Sequence, residues 1–193
     1  METIKIKHRL FTVIQALPDN FFLLERKNKR YLAEKFDPHS IEGKETSYAY
    51  SKLKYSGVSF PSIYLIDDRN GYAVREYVKG EKVSEILARE DLSENIIEQL
   101  FNNAYLARSS QITLNYEPDY WIIVNEKLIY TYPMVMKFNK QKDLVEKYIR
   151  LWFNTVELRQ YLSKLNINFD KSRVKQENLV NKEIVLMTCK YYK

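Results

Sequence analysis

The residues best suited to chemistry in this chain lie in one short segment, residues 115–121, which is followed by Ile-Ile-Val. Glu117 and Asp119 supply two carboxylates there, and Asn115 supplies an amide. A carboxylate can accept a proton from a substrate, and carboxylate or amide oxygens can hold Mg²⁺. The segment is therefore the first candidate for a functional site, and its chemistry depends on the elements that position it.

Other kinds of reactive site are poorly supplied. The chain has one cysteine, Cys189, and two histidines, His8 and His39, which are far apart in sequence. A disulfide framework and a cysteine-based metal site cannot be built from a single cysteine. A zinc site or a Ser-His-Asp triad is likewise not expected. We assign no metal ligands from the sequence.

The composition indicates a folded protein with a modest positive charge. Hydrophobic residues make up 45% of the chain, and 31 Lys and Arg against 25 Asp and Glu give a net charge of +6. That charge is compatible with an RNA or an acidic protein partner. The 16 tyrosines favour core and boundary packing over a surface that stacks bases.

The start of the chain predicts a cytoplasmic protein. Its first residues are charged, with Glu2, Lys5 and Lys7 among them, so they are not typical of a signal peptide. No apolar run approaches the ~20 residues that a membrane span needs. We therefore expect no membrane partner.

The first 80 residues are rich in strand-forming residues and turn signals. A helix is predicted over residues 41–55, ended by Gly57, and Asn70-Gly71 predicts a tight turn between two strands. The predicted strands cover residues 3–6, 10–14, 21–25, 30–36, 62–67 and 72–77.

The remaining residues are mainly helical in pattern. Ser93 is a plausible N-cap, and the turn Asn125-Glu126 predicts a hairpin of residues 121–124 and 128–132. Residues 183–187 are predicted to be a final strand or a packed extension. The predicted helices cover residues 82–89, 91–108 and 143–165.

The change of pattern near Gly80 predicts two lobes of an α+β fold. The first, residues 1–79, is an N-lobe with a mostly antiparallel sheet and one helix. The second, residues 80–193, is a truncated helical C-lobe with a β-hairpin near residues 121–132.

This element order resembles the protein-kinase-like superfamily over residues 21–165. It is most similar to the small atypical kinases, namely the kinase subunit of the KEOPS tRNA-modification complex and the RIO kinases. Ala33-Glu34-Lys35 matches the Ala-x-Lys of the third kinase strand, and residues 57–64 resemble the entry to the fourth. The segment Glu76-Tyr77-Val78-Lys79-Gly80 resembles the kinase hinge. The segment of residues 115–124 resembles the catalytic loop.

The resemblance implies a nucleotide site with named residues. Lys35 would hold phosphates and face the cleft, paired with Glu45 or, as an alternative, with Glu42. An adenine ring would face the hinge residues Glu76, Tyr77 and Val78. When Asn115 is aligned with the family's catalytic Asp, Tyr120 and Tyr132 align with the family's two metal-ligand positions.

The chemistry departs from the family at these positions. Asn115 cannot act as a base, and the phenols of Tyr120 and Tyr132 are poor magnesium ligands. No glycine precedes Gly43, so the glycine-rich phosphate loop is absent. The resemblance therefore implies a kinase-shaped protein without the family's usual active site.

The favoured function is that of a pseudokinase, a degenerate kinase that acts as a protein-binding or scaffold subunit and needs no cofactor. RNA or an RNA–protein complex is a second kind of partner. One alternative is an active atypical serine/threonine kinase or ATPase that uses ATP, Mg²⁺ and Lys35 with Asp119 or Glu117. Another is a basic RNA-binding module, and a nuclease ranks last.

Overall fold

The computed structural model describes residues 2–192 of the chain, which form two compact units. The first unit comprises the chain up to Tyr55 together with Phe60–Lys79. The second comprises Ser56–Ser59 and the chain from Gly80 onward. Strands dominate the first unit and helices the second, so the class is α+β.

The first unit is built on a six-stranded antiparallel sheet in the order β1-β2-β3-β4-β6-β5. All six predicted strands are present. Their bounds are β1 Thr3–Ile6, β2 Arg9–Ala16, β3 Phe21–Arg26, β4 Lys29–Lys35, β5 Ile63–Asp67 and β6 Tyr72–Glu76.

The sheet curls, because residues from its two edge strands share one core. Ile6 of β1 and Leu65 of β5 are both buried in a cluster with residues of every strand between them. Period-two alternation explains the cluster, since each strand sends every second side chain to the inner face. The other members are Phe11, Leu24, Tyr31, Ala33 and Val74.

The helix of the first unit, α1 (Ile41–Ser56), confirms the prediction for residues 41–55. The Ser40 hydroxyl accepts the amide hydrogen of Gly43 at 2.9 Å and so satisfies one of the donors left open at a helix start. The helix stops before Gly57, whose φ of +76° suits glycine. Ala49, Tyr50 and Leu53 are buried.

The second unit contains four helices and five short strands among its described residues. Ser93 caps α3 as predicted, accepting from the amide of Ile96. The helices are α2 Val83–Arg89, α3 Glu94–Ser109, α4 Val156–Lys164 and α5 Glu177–Tyr191; the strands are β7 Glu81–Lys82, β8 Ile112–Thr113, β9 Trp121–Val124, β10 Lys127–Tyr130 and β11 Met136–Lys137.

The hairpin formed by β9 and β10 confirms the predicted one, with Asn125 and Glu126 at its turn in the left-handed region. β7 pairs with the other edge of β9. Gly80 permits this approach, because a Cβ there would lie 2.6 Å from Val124 Cγ2 and 2.7 Å from the Ile123 carbonyl oxygen.

The predicted long helix over residues 143–165 is wrong. A π-helical turn (Leu144–Tyr148) and a 3-10 turn (Ile149–Trp152) precede an extended Phe153, and α4 begins only at Val156. Thr155 causes the break: its hydroxyl donates to the Arg150 carbonyl at 2.6 Å and caps α4 through the Leu158 amide.

Residues 183–187 lie inside α5 rather than in a strand. Val180 and Ile184 are its buried residues, and their spacing of four places both on one helical face. Within residues 2–192 no helix combines the length and apolarity that crossing a membrane requires. The same residues contain no cluster of three His, Cys, Asp or Glu side chains arranged to hold a metal ion.

Candidate functional site

Asn115 begins the candidate segment and is used to hold its backbone in shape. Its side-chain oxygen accepts from the backbone amide of Glu117 at 3.1 Å. Its own backbone amide donates to the Tyr130 hydroxyl at 3.2 Å. Its carbonyl accepts from the Trp121 indole at 3.1 Å. Asn115 therefore acts as a turn-forming side chain, and the catalytic position that the resemblance predicts for it stays a prediction.

The segment rests on buried aromatic rings. Tyr116 and Trp121 are fully buried and stack with an interplanar angle of 13°. Trp152 meets Trp121 edge to face, and its indole donates to the Tyr116 carbonyl at 2.7 Å. Two indole donors thus bind two successive carbonyls of the segment, since Trp121 bonds to Asn115 and Trp152 to Tyr116.

Tyr120 and Tyr132 lie against each other as a stacked pair. Their ring centres are 4.2 Å apart with an interplanar angle of 19°. The contact is fixed by the backbone, because the Tyr120 carbonyl accepts both from the Thr131 amide and from the Thr131 hydroxyl at 2.9 Å. Both tyrosines are half-buried.

The environment of Tyr120 does not favour a phenolate. Burial is the main cause that raises the pKa of its hydroxyl, and the nearby Glu117 carboxylate raises it further. A neutral phenol is a weak ligand for Mg²⁺, which prefers carboxylate, phosphate and water oxygens. Tyr120 and Tyr132, which the sequence resemblance predicts at two metal-ligand positions, are therefore poorly suited to hold the ion.

Asp119 is one of the two carboxylates of the segment, and both of its oxygens have partners. One accepts from the Lys82 ammonium at 2.9 Å and the other from the Ser84 hydroxyl at 2.8 Å. Ser84 is fully buried at the start of α2. The aspartate therefore ties the segment to α2, a contact for which the sequence carries no local signal.

Lys35 lies at the end of β4 with its side chain exposed. Its ammonium is 5.9 Å from the ring centre of Tyr72, which faces it across the sheet. Glu45 and Glu42 are exposed on α1, and the described residues contain no ion pair between Lys35 and either glutamate. The nucleotide-binding role of Lys35 and Glu45 stays a prediction.

The contact between β4 and α1 is made by the preceding residue, Glu34. Its carboxylate accepts from the buried Tyr50 hydroxyl at 2.8 Å. Burial raises the pKa of Glu34, while Tyr50 and the buried Arg75 oppose that rise. Arg75 also lies over the Phe60 ring at 5.0 Å. Sequence reasoning missed this group because only the strand register brings it together.

The predicted hinge residues follow the end of β6. The amide of Glu76 donates to the Ser62 carbonyl at 2.8 Å, and that of Tyr77 donates to the Arg30 carbonyl at 3.2 Å. These two amides are used within the first unit. Adenine binding by Glu76, Tyr77 and Val78 stays a prediction.

Comparison with known proteins identifies the fold. No family model matches the chain, and no curated protein matches it. Among solved structures 568 chains are similar. One of them is the kinase PK-1 of Cydia pomonella Granulovirus, with a TM-score of 0.53 and 11% sequence identity.

The similarity to PK-1 covers 66% of this chain and 52% of the viral kinase, so the chain spans about half the length of that protein. At this identity the likeness shows the fold alone. The protein has a kinase-like α+β fold, which confirms the predicted fold class. It is a kinase-like protein in structure, and its activity has to be argued from its own residues.

Proposed function

We propose that this protein is a catalytically degenerate kinase, of the type of the small atypical kinases, that binds a protein partner instead of transferring phosphate. The observation that supports it most is the stacked pair of Tyr120 and Tyr132 at the two positions where the family holds metal. Phosphoryl transfer relies on positioning and charge neutralisation by metal ions. Two neutral rings provide neither.

The surrounding contacts support the same proposal. Asn115 holds a turn, and Asp119 is bonded to Lys82 and Ser84. A carboxylate whose two oxygens both accept from protein donors is less available to a substrate hydroxyl. The kinase-like fold then serves as a scaffold whose surface is free to bind a partner.

Nucleotide binding is the direct test. The protein would be titrated with MgATP while its unfolding temperature is followed. A ligand at 100 times its Kd stabilises a protein by about 2.7 kcal/mol, and we expect no shift of that size at millimolar ATP. Such a shift, together with magnesium-dependent ATP turnover, would establish the alternative of an active atypical kinase or ATPase using Lys35 with Asp119 or Glu117.

A restored variant tests the tyrosine pair itself. Asn115→Asp, Tyr120→Asn and Tyr132→Asp would be combined and assayed for ATP hydrolysis and autophosphorylation. We expect no turnover and lower stability, because the stacked rings are lost and no glycine-rich loop is gained. The matched control is Tyr105→Asn, which removes an exposed tyrosine of the same unit. Turnover in the triple variant with unchanged stability would contradict the scaffold proposal.

A further inference from the structure

A basic groove lies on the first unit, along the line where its two edge strands approach each other. The strand order places β1 at one edge and β5 at the other. The Lys7 amide donates to the Asp67 carboxylate at 3.1 Å, and the Arg9 guanidinium lies 4.3 Å from the ring centre of Tyr64. We call the surface formed by Lys7, His8, Arg9, Lys54 and Tyr64 the edge groove.

The edge groove is concave and carries positive charge. Its cavity has a volume of about 350 Å³, and its described lining contains three Lys or Arg side chains and one histidine but no acid. A second cavity of about 530 Å³ shares Lys7 and His8 and adds Arg69. Concave surfaces lined by one sign of charge concentrate oppositely charged ligands.

The two aspartates of the second cavity are held by the protein itself. Asp67 is buried and accepts from the Lys7 amide and from the amide and side chain of Asn70. Burial alone would raise the pKa of Asp67, but these hydrogen bonds hold it below the ordinary value. Asp68 accepts from the Ser47 hydroxyl. Neither carboxylate lines the smaller cavity.

Aromatic rings accompany the cations of the edge groove. Tyr55, next to Lys54 at the end of α1, is 80% exposed, and the Lys54 ammonium lies 5.3 Å from its ring centre. Tyr48, an exposed residue about two turns before Tyr55 on α1, has the Lys52 ammonium 5.6 Å from its ring centre, and neither of these two residues lines the cavity. Arg9 and Tyr64 line the cavity itself, and Tyr55 adjoins it as the next residue after the lining residue Lys54.

We propose that the edge groove binds single-stranded nucleic acid. Lys and Arg side chains neutralise phosphates, and exposed aromatic rings stack with unpaired bases. A concave pocket admits a base only when it is splayed out, as in single strands. An acidic peptide would use the cations but would leave the exposed rings without a role. This proposal is independent of whether the protein is a pseudokinase.

The test is a salt titration of binding with matched charge variants. Fluorescence anisotropy would follow a labelled oligouridine and an oligothymidine of about 12 nucleotides, a length within the usual span of single-strand sites. The groove variant combines Lys7→Gln, Arg9→Gln and Lys54→Gln. The control combines Lys127→Gln, Lys137→Gln and Lys164→Gln, which are exposed side chains of the second unit.

The expected result is saturable binding that only the groove variant weakens, by at least about tenfold. Each lost phosphate contact reduces the salt slope by about 0.7 for single strands, so the groove variant should lose about 2. Tyr55→Ala should weaken binding roughly tenfold through lost stacking, whereas Tyr105→Ala should not. Equal affinity for RNA and DNA would show recognition of phosphate and base, and a preference for RNA would add recognition of the 2′-hydroxyl.

Three outcomes would overturn the proposal. The first is the absence of saturable binding to either oligonucleotide. The second is equal weakening by the groove and control variants, which would show attraction by net charge alone. The third is tight binding of polyglutamate at the groove with no effect of Tyr55→Ala, which would identify an acidic peptide as the ligand. A thermal melt of each variant would confirm that it is folded.

Discussion

Replacing Trp152 by phenylalanine should weaken the second unit, because this indole supports the candidate segment. The Trp152 side chain is 1% exposed, and its nitrogen donates to the Tyr116 carbonyl at 2.7 Å. Leaving a buried carbonyl without its donor costs about 1–3 kcal/mol. The smaller ring also leaves a space, which adds about 1 kcal/mol or more. We expect a total loss of about 2–4 kcal/mol in the free energy of unfolding.

The chain provides its own reporter for this experiment. It has two tryptophans, Trp121 and Trp152, and both are buried in the second unit. Tryptophan fluorescence during urea unfolding therefore follows that unit, and the variant keeps Trp121 as its probe. Far-UV circular dichroism on the same samples follows both units. A shared transition midpoint would license a two-state treatment.

The control is Tyr105→Phe, which removes a hydroxyl from an exposed side chain of the same unit and should change stability by less than about 0.5 kcal/mol. Trp121→Phe is informative as well, because it removes the bond to Asn115 while keeping a phenyl ring. If Trp152→Phe cost no more than Tyr105→Phe, the indole bond would not hold the segment, and the reasoning from its buried carbonyls would be refuted.

Three further predictions concern other contacts. Gly80→Ala should destabilise the second unit by about 1–3 kcal/mol, because its Cβ would meet the Ile123 carbonyl oxygen at 2.7 Å, and tryptophan fluorescence would measure the loss. Tyr50→Phe should destabilise the first unit by about 1–3 kcal/mol by removing a donor from the partly buried Glu34, which calorimetry would detect; an unchanged melting temperature would contradict this. The Arg150 guanidinium lowers the pKa of Glu157, so the pair stabilises the fold above about pH 4.5 and that contribution is lost as the pH falls through the folded-state pKa. The Glu157→Gln variant should therefore lose less free energy of unfolding than the unmodified protein when the pH falls below 4.5. Urea unfolding at several pH values would measure this, and an equal loss in both proteins would refute the prediction.

Local patterns predicted most of the fold because the determinants are local. Strand alternation places the core residues of the first unit, and the Ser93 cap marks the start of α3. The long helix over residues 143–165 was predicted because its apolar spacing continues through the break. The break depends on the Thr155 hydroxyl bonding back to the Arg150 carbonyl, a choice that apolar periodicity does not report.

The contacts within the candidate site were not predictable from the sequence. The roles of Asn115, Tyr120 and Tyr132 rest on the resemblance and stay predictions, whereas the partners of Asp119 are 35 and 37 residues away in sequence. The edge groove is even harder to predict from the sequence, because its cations come from three separate places: the turn after β1, the start of β2 and the end of α1. The sequence showed many tyrosines and a modest charge, and only the fold reveals which of them share a surface.

The residues of the candidate site are coupled through their contacts, so changes to them are not expected to act independently. Asn115 bonds the Glu117 amide, Trp121 bonds the Asn115 carbonyl, and Tyr120 is held against Tyr132 through Thr131. An aspartate at position 115 could still accept from the Glu117 amide, since it offers the same oxygen. An asparagine at position 120 and an aspartate at position 132 would instead remove both stacked rings and the contact between them. The first change should therefore be nearly neutral and the other two costly, as expected for a segment that serves as a structural element, which is the role the proposed function gives it.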